Sequence, residues 1–394
     1  MRPLSLAAAF SWLASFAALA CGLVDSTAEE RTDTRSADLA VRHLQNASPH
    51  HRHLRGQRRW SADPHQPASE PVDAPAPSPE PADAGAEEPS GELADAAPPD
   101  TTPADAAAPP NTAPPSLPRD IVAQSALPLH GLAAGNALSE AELWDRLAQT
   151  PAVCLGETHN IPADHYAETR AIAELAQRAQ TAGAPLAVGF EMFQRQFQTT
   201  LAEFIAGQLD EATLLAGTEY STRWGYDFSL YRPMLEAARD RGLPALALNM
   251  RGEITRKIAR TSLDSLDASE RTELPELNLA DAEHREFIFG LFGVLPEHAA
   301  ESGLEDVYVA QTVWDETMAD SAARWLGDTG AGARIVILAG DAHCHESAIP
   351  RRLTRRTGLA ATSVSIVLQS ELAEPDFSAD GYDLLIVLDD SGSP

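Results

Sequence analysis

The chain has 394 residues, and its composition indicates that a large part of it does not belong to a globular core. The formal net charge is −29, from 58 acidic and 29 basic residues. This balance disfavours nucleic acid or an anionic membrane surface as the partner of the chain as a whole.

Residues 1–21 have the pattern of an export signal. Arg2 precedes an apolar run and a small-residue site that ends at Cys21. A cysteine directly after "ALA" resembles a bacterial lipobox, although Ala18 stands where such boxes usually carry leucine. We expect an exported bacterial lipoprotein, anchored through Cys21 on the outer-membrane or periplasmic side. Cleavage without lipidation, or retention of the signal, is the alternative.

Residues 22–126 are predicted to form a disordered linker. Its first part is basic and histidine-rich, and its second is a Pro/Ala/acidic tract. Both parts contain too few large apolar residues to offset the entropy of ordering.

From residue 127 to residue 394 the pattern is that of a folded domain. The runs "AVCLGE", "PLAVGFEM", "PALALNM" and "RIVILAGD" read as strands buried on both faces, with helical patterns between them, for example at 163–180. Two later runs, "SVSIVLQ" and "YDLLIVL", extend the sheet. The expected class is α/β, a three-layer α/β/α domain with a mainly parallel sheet. The largely helical stretch 255–326 is expected to form an inserted subdomain.

Polar side chains follow the predicted strands, where α/β sheets place their ligand sites. "GETH" and "GDAH" both read glycine, acid, any residue, histidine after an apolar strand. Such groups suit either acid/base catalysis or a divalent metal. The catalytic candidates are Glu157, His159, Glu191 and His343, and the metal-ligand candidates add Asp341 to these four. Capping of helices by the acids and core packing of the histidines are the structural alternatives.

Two further segments supply candidate ligand-binding residues. Gln311 and Asp315 interrupt the apolar stripe of a helix, so they are expected to face a polar site. Trp224, Tyr226 and Tyr231 cluster ahead of another helix, where they suit a flat apolar ligand or simple core packing. Cys154 and Cys344 can pair, bind a metal or pack as small buried hydrophobes; packing is the favoured interpretation.

Five blocks resemble, in order and rough spacing, the ChaN-like family of haem-binding lipoproteins within the Tiki and erythromycin-esterase superfamily. They are "LGETHNIPADHYAE", "GFEMFQRQFQTTLAEF", "WGYDFSLYRPMLEAARDRGLPALALNMRGEITRKIAR", "AQTVWDETMA" and "ILAGDAHCHESAIPRRL". The resemblance covers residues 127–388 and implies the α/β/α fold. It places Gly156, Glu157, His159, Glu191, Gly340 and His343 in one pocket, with Gln311 and Asp315 beside it. The family's last motif is usually Gly-Asn-Gly-His, whereas this chain has Gly340-Asp341-Ala342-His343 followed by Cys344-His345-Glu346.

The resemblance implies haem binding linked to iron uptake, with haem or another small ligand as partner and a second copy of the chain as a candidate dimer partner. Family members bind haem through tyrosine, and Tyr166, Tyr226 and Tyr231 are the candidates here. A metal-dependent hydrolase acting through the paired Gly-x-x-His motifs is the alternative, so enzymatic activity is left open. A surface protein with a vestigial site is the third interpretation.

Overall fold

The computed structural model describes residue 122, residues 126–294, residue 298, residues 303–375 and residues 377–391. The predicted export signal, the lipidation site Cys21 and nearly all of the predicted linker lie outside these residues. Val122, which the sequence prediction assigned to the linker, is buried in the core of the folded domain. No helix within the described part of the chain has both the length and the apolarity needed to cross a membrane.

An eight-stranded sheet forms the centre of the domain, in the order β2-β1-β8-β7-β3-β6-β4-β5. The six strands from β8 to β5 in this order are parallel, and the predicted class, α/β with a mainly parallel sheet, is confirmed. The strands are β1 Leu129–Ala133, β2 Asn136–Leu138, β3 Ala152–Glu157, β4 Leu186–Gln194, β5 Ala245–Asn249, β6 Arg334–Gly340, β7 Ala361–Leu368 and β8 Leu384–Leu388.

One edge of the sheet departs from the sequence prediction. β1 and β2 form an antiparallel hairpin, and β1 pairs antiparallel with β8. The apolar pattern of the sequence does not predict these strands, because β2 has only three residues and is largely exposed.

The helices of the described residues lie between the strands. They are α1 Glu140–Leu147, α2 Pro162–Ala182, α3 Gln198–Ile205, α4 Glu211–Gly217, α5 Tyr220–Arg223, α6 Phe228–Asp240, α7 Gly252–Arg260, α8 Ala268–Glu273, α9 Ala282–Leu291, α10 Glu305–Thr329, α11 Asp341–Cys344 and α12 Ile349–Thr357. Local signals set several ends. Ser139 and Glu142 form a capping box at the start of α1. Pro162 begins α2, and Gly183, with φ 63°, ends it.

Successive residues of the strands belong alternately to two apolar clusters, one on each face of the sheet. Val153 and Leu155 belong to the cluster that contains α2 and α6. Cys154, between them, belongs to the cluster that contains Met318 of α10 and Leu353 of α12. Side chains of a strand point alternately to its two faces, so the sheet is covered on both sides and the three-layer architecture follows.

The predicted helical insertion lies between β5 and β6 and consists of α7, α8, α9 and the first half of α10. Ile254, Ile288, Phe289 and Tyr308 form the centre of its own apolar cluster. The insertion is not separate from the sheet, however, because the second half of α10 packs on the sheet face through residues such as Met318.

Cys154 in β3 and Cys344 in α11 form a disulfide, with their Cα atoms 5.3 Å apart. The favoured interpretation of these cysteines as unpaired buried hydrophobes is therefore wrong. They are 190 residues apart in sequence, and only the fold brings α11 back over the face of β3 on which Cys154 lies. The disulfide joins the two segments that carry the paired motifs.

Candidate functional site

Three parallel strands, β3, β6 and β4, end side by side at the carboxyl edge of the sheet. β3 pairs with β6 so that Glu157 lies opposite Gly340, and β4 pairs with the other side of β6. Ligand sites of open α/β sheets lie outside the carboxyl ends of the strands. The candidate site therefore forms where the strand ends that carry Glu157, Gly340 and Glu191 meet.

Glu157 holds His159 at the end of β3. Nδ1 of His159 lies 2.6 Å from Oε1 of Glu157, and both side chains are buried. The hydroxyl of Tyr231, on α6, donates to the same oxygen at 2.9 Å. Burial raises the pKa of Glu157, but the charge of His165 and the hydrogen bond from His159 outweigh burial and lower this pKa. Glu157 is thus an anion that binds Nδ1 of His159 and leaves Nε2 facing the site.

Two buried groups on α2 surround the other oxygen of Glu157. Nδ1 of His165 lies 3.1 Å from Oε2 of Glu157 and 3.1 Å from Oε2 of Glu168. Burial lowers the pKa of His165, but the charge of Glu157 raises it well above the ordinary value. Burial and the charge of Glu157 raise the pKa of Glu168. These three side chains form a compact ionisable cluster directly behind His159.

His343 lies between two carboxylates at the end of β6. Its Nε2 is 3.3 Å from Oε1 of Glu191, and its Nδ1 is 2.5 Å from Oδ1 of Asp315. Nε2 of Gln311 lies 3.1 Å from the same Nδ1. Burial lowers the pKa of His343, but the charges of Glu191 and Asp315 raise it to about 10. His343 is therefore a buried cation at neutral pH.

A chain of hydrogen bonds continues behind Asp315. Nε2 of His284 lies 2.9 Å from Oδ2 of Asp315, and Nη2 of Arg352 lies 2.9 Å from Nδ1 of His284. A guanidinium can only donate, so Nδ1 of His284 accepts and its Nε2–H donates to Asp315. Burial lowers the pKa of His284, which is consistent with this neutral tautomer. Arg352 and His284 thus fix the carboxylate that holds His343.

Gly340 is the point where the two histidine–carboxylate pairs approach each other. Its backbone N–H donates to Oε2 of Glu191 at 2.7 Å. A Cβ added at Gly340 would lie 2.8 Å from Cε1 of His159 and 3.7 Å from Oε2 of Glu191. Only glycine leaves room for the imidazole of His159 against the strand end. The structure therefore brings Glu157, His159, Glu191 and His343 together, with Gln311 and Asp315 beside them.

An aromatic patch covers His159. The ring centroids of Trp224 and Tyr226 lie 4.8 and 5.0 Å from that of His159, and both rings are half-buried. Tyr231 is fully buried and its hydroxyl is bound to Glu157. Tyr166 lies half-buried on α2, where it packs against the main apolar core. Of the three predicted tyrosines, Tyr226 is thus the half-buried one beside His159.

Asp341 is not brought to the other predicted metal ligands. The hydroxyl of Tyr382 donates to Oδ2 of Asp341 at 2.6 Å, and Ser365, on β7, is a neighbour that lowers the pKa of this carboxyl against the effect of burial. β7 flanks β3 on the side opposite β6, whereas Glu191 and His343 lie on β4 and after β6. Burial raises the pKa of Asp341. The carboxyl group inside the second motif therefore faces away from the histidine of that motif.

His345 and Glu346, which follow His343 where the chain departs from the family motif, also do not contribute to the site. The ring of His345 stacks on that of Phe287 at 3.7 Å between centroids, and its Nδ1 lies 2.8 Å from the hydroxyl of Ser347. Burial lowers the pKa of His345 to about 4. Glu346 is exposed.

Sequence reasoning assigned no role to four buried partners of the site: His165, which was noted only as a polar residue after the first strand, and Glu168, His284 and Arg352. His165 and Glu168 are three positions apart on one face of α2, and a buried ionisable pair at this spacing is a detectable signal. His284 and Arg352 carry no such signal, because they come from α9 and α12 and meet Asp315 only in the folded chain.

The fold and the site define an α/β/α protein with two histidine–carboxylate pairs at the carboxyl edge of a parallel sheet. The family model described as "Haem-binding uptake, Tiki superfamily, ChaN" matches residues 143–353, more than half of the chain. The chain belongs to this family, as the resemblance predicted.

Among solved structures, the chain is similar to ChaN of Campylobacter jejuni, described as binding haem cofacially. The identity is 14%, the TM-score is 0.51, and the match covers 66% of this chain and 96% of that one. The erythromycin esterase EreC, in an open conformation, shares 12% identity with a TM-score of 0.36 over 64% of this chain and 79% of its own. The type III effector HopBA1 shares 12% identity with a TM-score of 0.35 over 63% and 92%. No curated protein matches the chain.

Proposed function

We propose that the protein binds haem at the aromatic patch formed by Trp224 and Tyr226 over His159. The observation that carries the proposal is this half-buried pair of rings beside an imidazole at the carboxyl edge of the sheet. Aromatic faces suit a flat apolar macrocycle, and a tyrosine phenolate or an imidazole can ligate haem iron. Membership of a family described as haem-binding supports the same ligand.

Tyr226 is the proposed iron ligand. Tyr231 is fully buried, and the two half-buried rings that contact His159 are those of Trp224 and Tyr226. The ring of Tyr226 lies 5.0 Å from that of His159, at the half-buried patch. Bound there, haem would supply an iron centre that Tyr226 would hold.

A haem titration followed by ultraviolet-visible absorption tests this assignment. We expect a shifted Soret band that saturates at micromolar haem, and a Tyr226→Phe variant with at least roughly tenfold weaker binding, since the axial ligand is lost. Tyr166→Phe is the matched control, because it removes a half-buried phenol elsewhere. Absence of saturation in the wild-type protein, or equal loss in both variants, would refute the proposal.

We further propose an exported, lipid-anchored protein that captures haem for iron uptake. The Cys154–Cys344 disulfide supports an oxidising compartment, since such bonds are rare in the cytosol. A Cys21→Ser variant is then expected in the soluble rather than the membrane fraction of cells. A second copy of the chain closing over the haem is the proposed assembly, and sedimentation with and without haem tests it. A mass that does not change on haem addition would exclude this assembly.

A second candidate function is metal-dependent hydrolysis. The observation that favours it is the convergence of His159, Glu191 and His343 around Gly340. A divalent ion bound there would displace the proton from Nε2 of His343 and could activate water. Metal analysis of the wild-type protein and of a His159→Ala plus His343→Ala variant tests this candidate. Equal metal content in the two would show that these histidines are not ligands.

A further inference from the structure

Glu157, His165 and Glu168 form a buried cluster behind His159, and the hydrogen atoms available to this cluster do not satisfy all of its polar atoms. Nε2 of His165 lies 3.0 Å from the backbone carbonyl of His159, which can only accept, so this nitrogen carries a hydrogen. Nδ1 of His165 then faces Glu157 and Glu168, at 3.1 Å from an oxygen of each. A bare lone pair between two carboxylates is repulsive. Something positively charged must lie at or beside Nδ1.

Protonation of Nδ1 alone does not satisfy the cluster. One hydrogen can point at only one of the two carboxylates, and the imidazole is oriented to hydrogen-bond Glu168. Within the described residues, Oε1 of Glu168 has no hydrogen-bond partner, Oε2 of Glu157 has no donor near it other than the Nδ1 that it shares with Glu168, and both side chains are completely buried. Buried polar oxygens without a partner are costly and rare, so they call for an occupant.

We propose that Glu157, His165 and Glu168 bind a divalent metal ion, zinc being the best match to one imidazole and two carboxylates. One ligand atom from each residue lies within 4.8 Å of the others. The ion cancels the charge of two carboxylates, whereas an imidazolium cancels one.

The proposed ion would act on His159 through Glu157. It would bind Oε2 of Glu157, while Oε1 holds Nδ1 of His159 and the hydroxyl of Tyr231. His165, Glu168 and the ion would thus orient the imidazole beneath the aromatic patch without touching a ligand there. The site shares Glu157 with the pocket at Gly340, but its other two ligands lie on α2, and it does not depend on haem binding. Because it is fully buried, the ion is expected to enter during folding.

Elemental analysis of the full chain, produced with added Zn²⁺ and purified without chelator, tests the proposal. We expect about one zinc per chain, and at least a roughly tenfold lower content in Glu168→Gln, which keeps the shape but removes the charged ligand. His284→Asn and Glu191→Gln are matched controls, since they alter a buried imidazole and a buried carboxylate outside the cluster. Both should keep the zinc.

Zinc-free wild-type protein that is folded, or a Glu168→Gln variant with full zinc content, would overturn the proposal in favour of protons as occupants. Loss of zinc in Glu191→Gln but not in Glu168→Gln would also overturn it and place the ion in the pocket at Gly340.

X-ray absorption of the zinc-loaded wild-type protein keeps the test independent of any variant that fails to fold. One imidazole among oxygen ligands is expected. Two imidazoles would contradict the proposal, because the cluster contributes only His165.

Discussion

The two Gly-x-x-His segments look equivalent in sequence, but the folded chain uses their acids differently. In the segment after Gly156, the acid Glu157 binds its own histidine, His159, at 2.6 Å. In the segment after Gly340, the acid Asp341 turns to Tyr382, and His343 is held instead by carboxylates from α10 and β4. A repeated motif therefore predicts where histidines are placed, but not which carboxylates hold them.

Because different carboxylates hold the two histidines, the two segments also differ in electrostatics. His343 is fixed between two anions and its pKa is raised to about 10, so it is a cation at neutral pH. His159 has a single carboxylate partner at Nδ1 and lies under half-buried aromatic rings. The segment after β6 thus supplies a fixed charge, and the segment after β3 supplies the group nearest to the proposed ligand surface.

The largest expected effect comes from breaking the covalent link between the two segments. Replacing both Cys154 and Cys344 by alanine is expected to lower the free energy of unfolding by about 2–5 kcal/mol, because the unfolded chain is no longer cross-linked. Denaturant unfolding of oxidised wild type, reduced wild type and the double variant measures this. If the two motif segments were held by packing alone, all three would unfold at the same denaturant concentration.

The second prediction contrasts the acid that holds His343 with the acid of its own motif. Asp315→Asn is expected to cost about 3 kcal/mol, because it leaves the buried cation of His343 with one anion fewer. Asp341→Asn is expected to cost at most about 1 kcal/mol, since burial already favours its neutral form. Urea unfolding of the two variants at pH 7 decides. Equal losses of unfolding free energy in the two variants would mean that Asp315 and Asp341 stabilise the fold in the same way.

A third prediction uses pH to detect the fixed charge. The folded pKa of His343, about 10, lies above the ordinary value of about 6.5, so the folded state binds more protons between these values. The stability from this group is complete below pH 6.5 and is lost as the pH rises toward 10. We expect a loss of roughly 1 kcal/mol per pH unit between pH 7 and pH 9. A His343→Gln variant should be less stable at pH 7 and should lack this alkaline slope; an unchanged slope would assign it to another group.

Much of this site could be predicted from sequence because strand ends are local features. The apolar runs fixed the positions of β3, β4 and β6, and the residue that follows each buried run had to lie at the carboxyl edge of the sheet. Glu157, His159, Glu191 and His343 were identified in this way. Gln311 and Asp315 were identified because polar residues in a buried helical stripe are expected to face a polar site; Asp315 binds His343, and Gln311 lies beside the same imidazole.

The parts that sequence did not predict depend on contacts between distant segments. The orientation of Asp341 toward Tyr382 depends on the pairing of β8 with β7, which no local pattern specifies. The disulfide and the contact of His284 with Asp315 likewise join residues separated by 190 and 31 positions. The antiparallel hairpin of β1 and β2 was missed because its second strand is too short and exposed to show an apolar period.

The smallest expected effect comes from the two tyrosines that donate to the two motif acids. Tyr231→Phe removes the donor to Glu157, a buried anion, and is expected to cost about 2 kcal/mol. Tyr382→Phe removes the donor to Asp341 and is expected to cost about 1 kcal/mol. The sharper readout is haem affinity. Tyr231→Phe should weaken it, because Glu157 then holds His159 less firmly, while Tyr382→Phe should leave it unchanged. If Tyr382→Phe weakened haem binding as much, the segment after β6 would share in the ligand site, and the division between the two motif segments would fail.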